Sequence, residues 1–162
     1  MFIYSVRASS IRIGALVVLL GVLLTALAFT GQGATVAAMG TNTEIDYSRI
    51  KSSEDRLEFI SRFGITVDPE SEETAAFRMP DNFDRVILGY NELQKKQGLD
   101  LTKYKNKRVT RYTYKVTNYD SDGEVYANLF VYRGRIVACD LCSADPEGFV
   151  LPLTMVSQEN LK

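Results

Sequence analysis

Residues 90–116 read YNELQKKQGLDLTKYKNKRVTRYTYKV. Tyr90 and Leu93 continue an apolar stripe begun by Phe83, Val86 and Ile87, and this spacing is that of one helical face. Asp81 or Asn82 is the expected cap of that helix. Lys95 and Lys96 fall where the helix dipole favours cations, and Gly98 supplies the left-handed residue that stops a helix. Leu99, Leu101 and Tyr104 are then expected to tuck under the helix end. From Val109 the period changes to two, with Tyr112, Tyr114 and Val116 on one side and Arg111, Thr113 and Lys115 on the other. A helix that stops sharply and is followed by such a strand defines a two-layer domain.

The flanks extend this pattern. Downstream, residues 118–123 (NYDSDG) are a hairpin loop, with the Asp-Gly pair such a turn needs. Residues 125–132 form a strand apolar on both faces, Arg133-Gly134 is a two-residue turn, and residues 135–140 pair back. Residues 149–151 add a short edge piece limited by Pro152. Upstream, Ser52 or Ser53 caps a first helix carrying Leu57, Ile60 and Phe63, which Gly64 ends. Residues 65–67 and 75–79 are short strand candidates. The expected fold is α+β, with two helices packed on one face of a three- to four-stranded antiparallel meander. The face bearing Arg111, Thr113 and Lys115 is expected to be partly solvated.

The N-terminus has a different character. Residues 13–29, IGALVVLLGVLLTALAF, carry no charge and would make a helix of about 26 Å. With Thr30 and Gly31 they form a candidate transmembrane anchor or signal segment at 13–31. Both readings stand, because the small-residue patterns at 26–28 and 34–37 would suit cleavage. Arg7 and Arg12 precede the span and no acid does, which orients residues 1–12 to the cytoplasm. Residues 32–50 read as a flexible tether, and 51–162 as the extracytoplasmic domain. The expected location is the cell membrane, single-pass, or secreted if the segment is removed. The membrane is therefore one partner, reached through the N-terminal helix.

Composition removes several chemistries. The 162 residues include no histidine, so histidine-based nucleophile systems, the common zinc sites and an imidazole switch are unavailable. With 19 basic and 20 acidic residues there is no basic footprint for nucleic acid. Neither a cofactor nor a metal is expected. Residues 120–123 resemble the start of a calcium loop but lack its later ligands, so a plain turn is the reading. Lys103, Lys105, Lys107, Arg108 and Arg111 make a local basic patch suited to anionic lipid or wall polymer, or simply to water.

Two groups remain as candidate sites. Cys139 and Cys142 form a Cys-x-x-Cys pair with three readings: a redox couple, a structural disulfide, or two unpaired thiols. If Leu141 continues the strand, the two thiols point to opposite faces and cannot bond. Asn91, Gln94, Gln97 and Asp100 lack an apolar explanation. They are candidates for ligand binding or for satisfying backbone groups at the helix end.

The residues Tyr90-Asn91-x-Leu93-Gln94-Lys95-x-Gln97-Gly98-x-Asp100-Leu101, followed by Tyr104, Lys107, Val109, Arg111-Tyr112-x-Tyr114, resemble the bacterial domain-of-unknown-function family numbered 4830. Pro80-x-x-Phe83, Ala127-Asn128-Leu129, Asp140-x-Cys142-Ser143 and Gly148-Phe149 extend the likeness across most of residues 57–153. The resemblance implies a Firmicutes protein with an N-terminal membrane segment and carries no activity. Asn106 and Cys139 stand where that pattern has glycine, so the cysteine pair is not a family feature.

The reading as a whole is a membrane-anchored extracytoplasmic module that binds a ligand, or a protein or cell-envelope partner, without catalysis. A thiol-redox or histidine-free hydrolytic enzyme is the alternative. A helix-on-sheet inhibitor or regulator like PepSY or cystatin is a third, on fold-level analogy alone.

Overall fold

A computed structural model describes residues 45–162. The candidate segment at 13–31, the N-terminal residues 1–12 and most of the expected tether lie outside them. No helix among the described residues is long and apolar enough to cross a membrane.

Two helices and five strands make the domain. Helix α1 is Ser53–Ser61, strand β1 is Glu73–Arg78, helix α2 is Arg85–Lys95, and β2 to β5 are Arg108–Lys115, Val125–Tyr132, Arg135–Ser143 and Val150–Leu151. The strands form one antiparallel sheet in the order β1-β2-β3-β4-β5. The class is α+β, with five strands rather than three or four. The extra members are β1, which pairs with β2 along its whole length, and the two-residue β5. Residues 65–67 contribute only an isolated bridge, Val67 to Val116.

Local chemistry sets the helix ends. Ser52 and Asp55 form a reciprocal capping box at the start of α1. At α2 the cap is Asp84, whose carboxylate accepts from the amide of Ile87 at 2.8 Å. Asp81, a cap expected from sequence, instead accepts from the Asn106 side chain at 2.9 Å. Gly98 takes φ +80° and ends α2, and the chain turns into the short 3-10 helix Leu101–Tyr104. Arg133 and Gly134 both have positive φ, as a two-residue hairpin of primed type requires.

The helices do not share a face. Phe59 and Ile60 of α1 pack with Tyr114, Val116, Ala127, Leu129, Cys139 and Leu141. Tyr90 of α2 packs with Val109, Phe130, Ala138 and Cys142. The strand register places these two sets on opposite sides of the sheet. The expected one-faced packing is therefore wrong; of the face expected to be partly solvated, Lys115 is exposed while Arg111 and Thr113 are buried beneath the α2 side. The segment between β1 and β2 carries α2 onto the face that α1 leaves free.

Residues 45–50, placed in the tether by composition, are part of the domain. Tyr47 and Ile50 are buried in the α1-side core. The Ile136 amide donates to the Tyr47 carbonyl at 2.8 Å, and the Ile50 amide donates to the Gly134 carbonyl at 2.9 Å. This run shields the first half of the β4 edge, beyond the reach of β5.

Helix α1 is pinned by charge as well as by packing. Arg56 donates to Glu72 at 2.8 and 3.0 Å and to the Tyr114 hydroxyl at 2.8 Å, and its guanidinium lies 3.8 Å from the centre of the Tyr112 ring. Tyr114 in turn donates to Glu72.

Candidate functional site

The face under α2 carries a row of polar residues that a soluble core normally excludes. Thr113, Asn128 and Asp140 are neighbours across β2, β3 and β4. All three are buried. Thr113 donates its hydroxyl to Asn128 Oδ1 at 2.7 Å, and Asn128 Nδ2 donates to Asp140 Oδ1 at 2.8 Å. Tyr90 reaches down from α2 and donates to Asp140 Oδ2 at 2.5 Å. The row is thus satisfied from end to end, the condition under which buried polar groups are tolerated. Burial holds the Asp140 carboxyl up at about 6, against the opposing pull of Tyr90, Asn128 and the Arg111 charge.

Arg111 stands apart from this row. It is buried to 7% exposure, between Ala75 on β1 and Phe130 on β3. Among the described residues its guanidinium has neither a hydrogen bond nor a salt bridge within reach. It faces a cavity of about 400 Å³ between β1 and α2. The β1 wall runs from Ala75 to Pro80, the α2 wall is Val86, Ile87 and Tyr90, and Phe130 and Leu101 lie in the floor. Ala75, the register partner of Arg111, lines the same space. Val86 and Ile87, read from their spacing as core residues, are only half-buried because they line this space. Its volume is within the range of small-molecule sites, and the lining is almost wholly apolar.

The sequence-derived candidates lie elsewhere. Gln94 Oε1 accepts from the Cys139 amide at 3.0 Å, and Gln97 Nε2 donates to the Cys139 carbonyl at 2.7 Å. Together the two side chains act as a short length of strand on the β4 edge. Asn91 Oδ1 accepts from the Leu101 amide at 2.7 Å, and Asn91 Nδ2 donates to Asp100 at 3.3 Å. Asp100 caps the following turn by accepting from Thr102. Asn91 and Asp100 thus serve the turn after the helix, Gln94 and Gln97 serve the backbone of β4, and none of the four lines the cavity.

Strand β4 runs through Leu141, so the two cysteines face opposite ways: Cys139 lies in the α1-side core and Cys142 in the α2-side core. Both are free and buried. Burial pushes the Cys142 thiol up to about 12 and Cys139 well above its ordinary value, with Asp140 adding to both. Of the basic patch, Lys103, Lys105, Lys107 and Arg108 are exposed and Arg111 is not. Asn106 has φ +62°, the left-handed conformation that its place in the family pattern implies.

Sequence reading missed Arg111 as a site residue because a buried arginine in a period-two strand looks like one on a wet face. The signal that was available is its partner in register, Ala75, beside Ala76 in a strand that precedes a helix.

Residues 59–141 match the family model described as Domain of unknown function (DUF4830). The whole cavity lining falls inside that stretch, and Cys142 falls outside it. Neither a curated protein nor a solved structure matches the chain.

Proposed function

The chain belongs to the DUF4830 family of domains of unknown function, and from that premise we propose that it is a non-catalytic ligand-binding module whose site is the cavity between β1 and α2. One observation carries the reading: an open apolar space of about 400 Å³ is lined by a single buried cation that no described residue meets as a hydrogen-bond or salt-bridge partner. Preformed apolar cavities with one or two placed polar groups are the usual form of small-ligand sites. The polar row next to it is saturated, so Tyr90 and Asp140 hold the wall in place. The thiol-redox alternative is disfavoured by two buried thiols with raised pKa values on opposite sides of the sheet. The module is read as tethered outside the cytoplasmic membrane by residues 13–31, on the charge pattern of the N-terminus, and as belonging to a Gram-positive bacterium on the family resemblance alone.

The test is ligand binding by the full chain in lipid nanodiscs, with empty nanodiscs as the blank. Hexanol and hexanoate are titrated by calorimetry, and the variant Ala75→Phe blocks the cavity from β1. Saturable heat that Ala75→Phe removes is the expected result. Absence of saturable binding for both probes, with the chain folded, would overturn the assignment.

A further inference from the structure

We propose that the cavity ligand is a monoanionic amphiphile, with a carboxylate seated on Arg111 and an apolar body against Val86, Ile87 and Phe130. This rests on the cavity being the binding site and names what it takes.

A guanidinium removed from water without a partner is destabilising by several kcal/mol in general, so buried arginines are found paired. The nearest buried acid, Asp140, has both oxygens engaged, one by Tyr90 and one by Asn128. It acts on Arg111 through space and not by contact, and the Arg111 charge in turn pulls the Asp140 carboxyl down against the effect of burial. Among the described residues no hydrogen bond engages the five N–H donors of the guanidinium fork, and its nitrogens keep their access to water through the open cavity. They lie against a cavity rather than against protein. A carboxylate fits such a fork with two parallel hydrogen bonds, and the pair strengthens in an apolar surround.

Charge and shape limit the choice further. One guanidinium neutralises one negative charge. A phosphate dianion would leave an uncompensated charge in an apolar space, which the second arginine in the lining does not supply, since Arg78 is exposed and already donates to the Asn106 carbonyl at 2.8 Å. A cationic amphiphile would place like charges together. The remainder of the lining offers hydrocarbon and aromatic surface, so the body of the ligand is apolar.

The experiment compares four probes with one tail: hexanoate, hexanol, hexylammonium and hexyl phosphate, titrated into the full chain in nanodiscs. Hexanoate is expected to bind roughly ten- to a hundredfold tighter than hexanol, the range of a charge-assisted hydrogen bond. Hexyl phosphate is expected to bind more weakly than hexanoate, and hexylammonium not at all. Arg111→Gln removes the hexanoate advantage and leaves hexanol binding in place, while Arg111→Lys keeps part of the advantage. The retained hexanol binding shows that the variant is folded. Equal affinity for hexanoate and hexanol overturns the anion assignment and leaves the cavity as a site. Tighter binding of hexyl phosphate overturns the monoanion. No binding of any probe removes both the site and its ligand.

Discussion

The hydroxyl of Tyr90 on α2 meets the carboxylate of Asp140 on β4 at 2.5 Å, joining residues fifty apart in sequence across the helix–sheet interface. This bond sets the depth at which α2 sits, and with it the far wall of the cavity. Tyr90→Phe keeps the ring and removes the donor. The expected loss is about 1–3 kcal/mol at neutral pH, the cost of a lost bond to a buried charged group. Urea unfolding followed by the near-ultraviolet tyrosine signal reads it, and a loss under about 0.5 kcal/mol would show the bond to be dispensable.

Asp140 gives the domain an unusual pH dependence. Its folded pKa, about 6, lies above the ordinary 3.8 because burial disfavours the charge. The folded state therefore binds a proton more readily than the unfolded chain. The resulting stabilisation is complete below the unfolded value and is lost as pH rises through the folded one. Asp140→Asn cannot ionise. Wild-type stability relative to that variant is expected to fall by on the order of 3 kcal/mol between about pH 4 and pH 7. Glu72 is held below its ordinary value with Arg56 and Tyr114 hydrogen-bonded to it, and it runs the other way, but equally in both proteins. A stability difference that does not change with pH would refute this placement of the proton.

The cysteines are expected to be inert while the domain is folded. Burial raises both thiols, Cys142 to about 12, so almost no thiolate exists at neutral pH. Thiol labelling with a chromogenic disulfide should release nothing in buffer and two equivalents in denaturant. Rapid labelling of either cysteine in the native protein would reopen a redox role.

Much of the fold is written in local periodicity. The bounds of β3, the left-handed stop at Gly98 and the turn at Arg133-Gly134 follow from alternation and from glycine placement. Which side of the sheet each helix takes does not. Arg111 and Thr113 alternate with tyrosines in the same way whether water or a helix covers them, and only the long-range pairing of β1 with β2 decides it. The candidate site was illegible for a related reason. Asn91, Gln94 and Gln97 stand out in sequence as polar residues on a helix, yet they satisfy backbone groups of β4 and of the turn at Leu101. The cavity instead lies between β1 and α2, where Ala75 to Pro80 face Val86, Ile87 and Tyr90. With Arg111 and Phe130 also in its lining, it is a property of segments which are far apart in the chain.

The two margins of the sheet are unlike. Beyond β4 the backbone is covered by the Tyr47 carbonyl, by the amides of Gln94 and Gln97, and by β5, which Pro152 follows at once. Beyond β1 the main chain is exposed over most of its length. The margin at β5 is only two residues long, so β1 is the longer edge open to another strand. The side chains of Gln94 and Gln97 therefore also occupy backbone groups of β4 that would otherwise be open to another strand.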